Sequence, residues 1–89
     1  MIRHIIVTGK VQGVFFRDHA EREAKSNGLK GTVKNLPDGS VEIYASGTDS
    51  QLERFAKWCK IGSPSSRVDR VLVKEVFGRR DYEDFRVIF

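Results

Sequence analysis

Apolar and polar positions alternate in short runs along this chain, and the period of the alternation changes several times. Residues 2 to 8 are rich in Ile and Val, which predicts a buried first strand. From Arg17 to about Ser26 the period lengthens. Phe16, Ala20 and Ala24 form one narrow helical stripe, and Asn27-Gly28 is a stop signal. Lys30 to Leu36 and Val41 to Ser46 return to strand. Between them, Pro37-Asp38-Gly39 reads as a hairpin turn, in which proline sets φ and glycine supplies a positive one. Thr48-Asp49-Ser50 then offers N-cap candidates, with Ser50 and Glu53 at capping-box spacing. Leu52, Phe55, Ala56 and Cys59 fall at i, i+3, i+4 and i+7, the clearest amphipathic helix in the chain. Gly62 ends it, and Ser63-Pro64-Ser65-Ser66 is a loop. Arg67 to Phe77 predicts a longer, less regular fourth strand, Gly78-Arg79-Arg80-Asp81 a polar turn, and Phe85, Val87 and Phe89 a short terminal strand.

The order is β-α-β-β-α-β with a short last strand. It predicts a ferredoxin-like α+β fold, an antiparallel sheet with both helices on one face. A right-handed β-α-β crossover makes the first two strands run the same way, so their C-terminal ends share one sheet edge. The segment after the first strand and Asn35, near the end of the second, are therefore expected to be neighbours.

That segment is Thr8-Gly9-Lys10-Val11-Gln12-Gly13-Val14-Phe15-Phe16-Arg17. It joins a strand to a helix. Backbone N–H groups at such a junction can converge, and the helix N-terminus adds positive partial charge, so the place suits an anion. Arg17 offers a planar fork matched to two phosphate oxygens. A Walker loop is excluded, because the lysine follows the first glycine and no Ser or Thr follows the second. The G-x-G-x-x-G dinucleotide pattern is absent as well. The bland alternative is a plain β–α turn with a surface arginine.

Charge and composition narrow the picture further. Eighty-nine residues, 39% hydrophobic and 31% charged, are expected to form one domain over residues 1–89. No apolar run approaches the roughly 20 residues of a membrane span, and the first residues are too short for a signal peptide. The net charge of +4 can attract nucleic acid or small anions. The basic residues are spread along the chain, which favours a mild positive field. A single cysteine, Cys59, rules out an internal disulfide and points to a reducing, cytoplasmic setting. It lies on the apolar helix stripe, as a packed thiol would. Two scattered histidines and one cysteine give no metal-ligand spacing, so no metal or cofactor is expected. His4 and His19 read as structural. Asp18 and Glu21, in the first turn of the first helix, would repel an anion and are expected to point away from the cradle.

Gly9 to Arg17 resembles the first signature of the acylphosphatase family, G-x-V-Q-G-V-x-F-R. Gly31-Thr32-Val33-Lys34-Asn35-Leu36-Pro37-Asp38-Gly39-Ser40-Val41, continuing to Gly47, resembles the second, except at Thr32. Ser66-Arg67-Val68-Asp69-Arg70-Val71 and Phe85-Arg86-Val87 also look like family positions, so the likeness spans essentially the whole chain. The resemblance implies the ferredoxin-like fold and hydrolysis of the carboxyl–phosphate bond of small acyl phosphates by a monomer. It implies Arg17 and Asn35 as catalytic residues. The backbone of Gly9, Lys10, Val11, Gln12, Gly13, Val14, Phe15 and Phe16 would form the phosphate loop. It also implies that the bound phosphate takes the water's proton, with no covalent phosphoenzyme. Asn35 suits the water, since an amide both donates and accepts and does not repel an anion.

The family usually has an aromatic residue where Thr32 stands. Alternation puts Thr32 on the sheet face opposite Asn35, where it should alter packing more than chemistry. Two other functions share this fold, an anion sensor without turnover and an RNA-binding module. The RNA-recognition motif needs aromatics on a central strand, and Val41-Glu42-Ile43-Tyr44-Ala45-Ser46 does not supply them.

Overall fold

The computed structural model describes residues 1–89. Its elements are β1 (Ile2–Lys10), α1 (Phe16–Ser26), β2 (Lys30–Asn35), β3 (Val41–Ser46), α2 (Asp49–Ile61), β4 (Arg67–Val76) and β5 (Phe85–Ile88). The strands form a single sheet in the order β4-β1-β3-β2-β5. β1 and β2 both run antiparallel to β3, so they are parallel to each other, as the crossover requires. β5 lies parallel to β2, with Val33 opposite Val87, so the sheet is mixed rather than wholly antiparallel. Four alternating residues are enough to mark a strand, but they do not say which edge it joins or in which direction.

One sheet face is covered. Ile5, Val7, Val33, Val41, Ile43 and Ala45 are fully buried. They meet Phe16, Ala20 and Ala24 of α1 and Leu52, Phe55 and Cys59 of α2. The expected helix stripes are therefore the core faces, except for Ala56, which is only half-buried. Removing such side chains from water, at about 25 cal/mol per Å² of apolar area, is what holds the two layers together. Trp58 lies at the helix edge, 5.2 Å from Phe16 and 5.9 Å from Phe55 between ring centroids. Thr32 pairs with Tyr44, and Asn35 with Val41, which puts the two on opposite faces as alternation required.

Three local expectations need correction. β1 runs on through Gly9 and Lys10, which pair with Val68 and Arg67 of β4 after a register shift at Thr8. At Gly9, φ is +127° and a Cβ would lie 2.2 Å from the Arg67 carbonyl oxygen. This glycine is thus needed for the close approach of β4. The capping box of α2 is Thr48 with Gln51, not Ser50 with Glu53. The Gln51 N–H donates to Thr48 Oγ1 at 3.2 Å, and the Thr48 N–H to Gln51 Oε1 at 2.9 Å. Both pairs have the required spacing, and the helix starting at Asp49 selects the first. In α1 only Asp18 is an acid of the first turn. Glu21 instead reaches β5, where its carboxylate accepts from the Val87 N–H at 3.3 Å.

Candidate active site

Residues 11–15 leave β1 and turn into α1 without regular structure. Phe15 is the N-cap of α1, at φ 59° and ψ 24°, with no side-chain cap. Left-handed backbone is uncommon for a residue with a side chain and marks stored strain. None of the N–H groups from Val11 to Asp18 donates to another group of the protein, and the first bond of the helix is from the His19 N–H to the Phe15 carbonyl. A run of unpaired N–H donors thus ends at an uncapped helix N-terminus, the arrangement that attracts an anion.

The loop is tied down from two sides. Gln12 Nε2 donates to the carbonyls of Leu36 at 2.8 Å and Ser40 at 2.9 Å. That side chain couples the loop to the turn that follows Asn35. On the other side, the buried Ser63 hydroxyl donates to the Val14 carbonyl at 2.8 Å. Both side chains hold backbone rather than a ligand. Sequence reading missed these roles, because spacing alone does not reveal which carbonyls a glutamine or serine will meet.

The cavity above the loop has a volume of about 360 Å³. Val11, Gly13, Phe15, Phe16, Arg17, Asp18 and Asn35 line it. Val7 and Asn35 flank Val41 from opposite sides, so Asn35 shares a row with the strand that feeds the loop. The convergence expected from the crossover is therefore present. Gly9 and Lys10 lie in β1, the Gln12 side chain turns into its clamp and Val14 is buried, so none of these four contributes a side chain to the cavity lining. Asp18, expected to point away, does line it, because the turn from Phe15 into α1 carries the first helical residues around the mouth.

Asn35 Oδ1 is buried and makes no hydrogen bond. Such atoms nearly always have a partner in folded proteins, so a free one in a cavity wall is an acceptor held ready for a ligand or water. The Arg17 guanidinium lies 4.8 Å from the centroid of the Phe89 ring, a cation–π contact that steadies it at the mouth.

The remaining candidates fall outside the cavity lining. The His19 Nδ1–H donates to the Phe15 carbonyl at 2.9 Å. His4 Nε2 is 2.9 Å from Glu42 Oε2 on the open sheet face. Cys59 is buried in the core, and burial pushes its thiol far above the ordinary range. None of these is placed to act on a group in the cavity.

A family model named Acylphosphatase matches residues 3–87. The chain belongs to the acylphosphatase family. Its chemistry is therefore acyl phosphate hydrolysis, the action of a hydrolase on an acid anhydride, and a non-catalytic sensor or RNA-binding module is not favoured. The acylphosphatase of Marinobacter nauticus is 45% identical over 83 residues, 93% of this chain and 90% of the relative. That of Alkalilimnicola ehrlichii is 45% identical over 86 residues, 97% of this chain and 96% of its own. The crystal structure of acylphosphatase from Bacillus subtilis superposes with a TM-score of 0.95 at 40% identity, covering 100% of both chains. That structure thus matches this fold over its full extent.

Proposed function

We propose that Arg17, the backbone of residues 11–17 and Asn35 carry the hydrolysis. The unpaired N–H groups and the Arg17 guanidinium hold the phosphoryl oxygens and meet the charge that grows on them in the transition state. Asn35 holds the attacking water with its free amide oxygen, in line with the bond to be broken. The water oxygen bonds to phosphorus. The bond from phosphorus to the acyl oxygen breaks, and the carboxylate leaves with the electron pair. Both water protons end on inorganic phosphate, the transferred one passing to a phosphoryl oxygen. No covalent phosphoenzyme is formed, and no side-chain base is required. The observation that carries this reading is the unpaired Asn35 oxygen in the wall of a cavity ringed by unpaired N–H groups.

Fixed dipoles need no reorganisation when the charge develops, and one such donor contributes about 10²–10³-fold in rate. Arg17→Ala should therefore lower hydrolysis of benzoyl phosphate by at least about that factor while the fold persists. Asn35→Ala should keep inorganic phosphate binding and lose turnover. Full activity in folded Arg17→Ala would refute the assignment of the arginine, and parallel loss of phosphate binding in Asn35→Ala would refute the water role. We also take the chain to act as a cytoplasmic monomer on small acyl phosphates, apart from nucleic acid. Its single cysteine is free and buried. No helix is long and apolar enough to cross a membrane.

A further inference from the structure

Two charged side chains line the cavity, and they have opposite signs. Arg17 belongs to the phosphate. Asp18 is exposed and makes no hydrogen bond or ion pair within the protein. A free carboxylate beside an anion cradle works against phosphate binding, so its place calls for an account. Helix position supplies part of one, since an acid in the first turn stabilises the dipole. That accounts for an acid here but not for its reach into the cavity wall.

Phe15 lines the same cavity and is 72% exposed. It is the residue that caps α1, and it shares the cavity lining with Asp18 of the first helical turn. An aromatic face and a carboxylate each attract a cation and each disfavour an anion. The phosphoryl end of the substrate is committed to the N–H groups and Arg17. Val11 and Phe16 are each only 1% exposed, so its acyl end must then lie against the exposed side chains left in the lining, Phe15 and Asp18.

We infer that Asp18, with Phe15, selects acyl phosphates by the charge on the acyl group. It favours an apolar acyl body that carries an ammonium and disfavours one that carries a second carboxylate. This rests on the phosphate-end assignment proposed above and extends it to the other end of the substrate. Asp18 is a specificity residue here and takes no part in bond breaking.

The test uses three synthetic substrates with one skeleton: benzoyl phosphate and its para-aminomethyl and para-carboxy forms. The ratio of kcat/KM for the cationic over the anionic substrate is measured in the full chain and in Asp18→Asn. One unit charge seen across roughly 6 Å of wet cavity changes each rate by about 3–10-fold, so the ratio should fall by at least that much in Asp18→Asn. Asp18→Glu should retain most of it. In about 0.5 M salt the ratio of the parent should shrink towards that of Asp18→Asn, because the screening length drops below the charge separation. A ratio unchanged by Asp18→Asn, with benzoyl phosphate still hydrolysed in an Arg17-dependent way, would overturn this inference alone. Failure of the parent to hydrolyse benzoyl phosphate would overturn the phosphate-end assignment, and this inference with it.

Discussion

Gln12 offers the sharpest check on how the site is assembled. Gln12→Ala removes both hydrogen bonds from its amide, to the Leu36 and Ser40 carbonyls. Each carbonyl keeps a second bond, Leu36 O from the Gly39 N–H at 3.1 Å and Ser40 O from the Leu36 N–H at 2.9 Å. Neither acceptor is left bare, so the penalty is that of two ordinary hydrogen bonds, about 1–3 kcal/mol in all. A domain of this size has a stability of about 4–13 kcal/mol, so the variant should fold. Its thermal midpoint should drop by about 4–8 °C for each kcal/mol lost. The kinetic effect should be larger than the thermodynamic one. The clamp fixes the loop against the turn after Asn35, and a misplacement near 1 Å can cost about 100-fold in rate. Urea unfolding gives the stability, and steady-state hydrolysis of benzoyl phosphate gives kcat and KM. A loss of kcat well beyond about 10-fold, with phosphate inhibition largely retained, is the expected pattern, because the N–H groups stay on their loop. Normal kcat in a variant that has lost the expected stability would refute the idea that this clamp sets the geometry of the water.

Three further outcomes follow from the backbone and from one carboxylate. Phe15→Gly should change stability by less than about 1 kcal/mol, since relief of the left-handed strain offsets the greater freedom of glycine in the unfolded chain, whereas Phe15→Val should be clearly worse. Equal unfolding midpoints for phenylalanine and valine at this position would mean that no strain is stored there. Gly31→Ala would set a Cβ 1.8 Å from the Tyr44 carbonyl oxygen across the ladder, so it should lower the urea midpoint by far more than a surface substitution does, and an unchanged midpoint would contradict that approach. Asp38 accepts from the hydroxyl and the N–H of Ser40, which hold its carboxyl below the ordinary 3.8. Its ionised form thus stabilises the fold above that value, and the contribution is lost as pH falls through the lower folded one. Ser40→Ala should raise the Asp38 pKa in an NMR titration, and no change would remove the hydroxyl as its cause.

Much of this molecule can be read from its sequence, and the gaps have physical reasons. The stripes Phe16-Ala20-Ala24 and Leu52-Phe55-Cys59 are buried because helical period and burial are one pattern. The meeting of Arg17 and Asn35 follows from crossover handedness, a rule that needs only element order. Charge repulsion, taken alone, argues Asp18 away from the cradle. The path of the backbone through Phe15 decides its position instead. The interlock of Gln12 and Ser63 with distant carbonyls was invisible, since such bonds depend on tertiary distances that no local period encodes. The motif assigns Gly9 to the cradle, while its steric need comes from a neighbouring strand.

The parallel seat of β5 beside β2 has a practical consequence for handling the protein. β5 ends on the same edge as Asn35, and the next residue, Phe89, already touches the guanidinium of Arg17. Met1, by contrast, accepts from the Gly47 N–H at the other end of the sheet. An affinity tag or fusion partner appended after Phe89 would begin its path at the cavity mouth and crowd the entrance. The same addition ahead of Met1 would leave by the far side, so assays of turnover are best made on chains extended there.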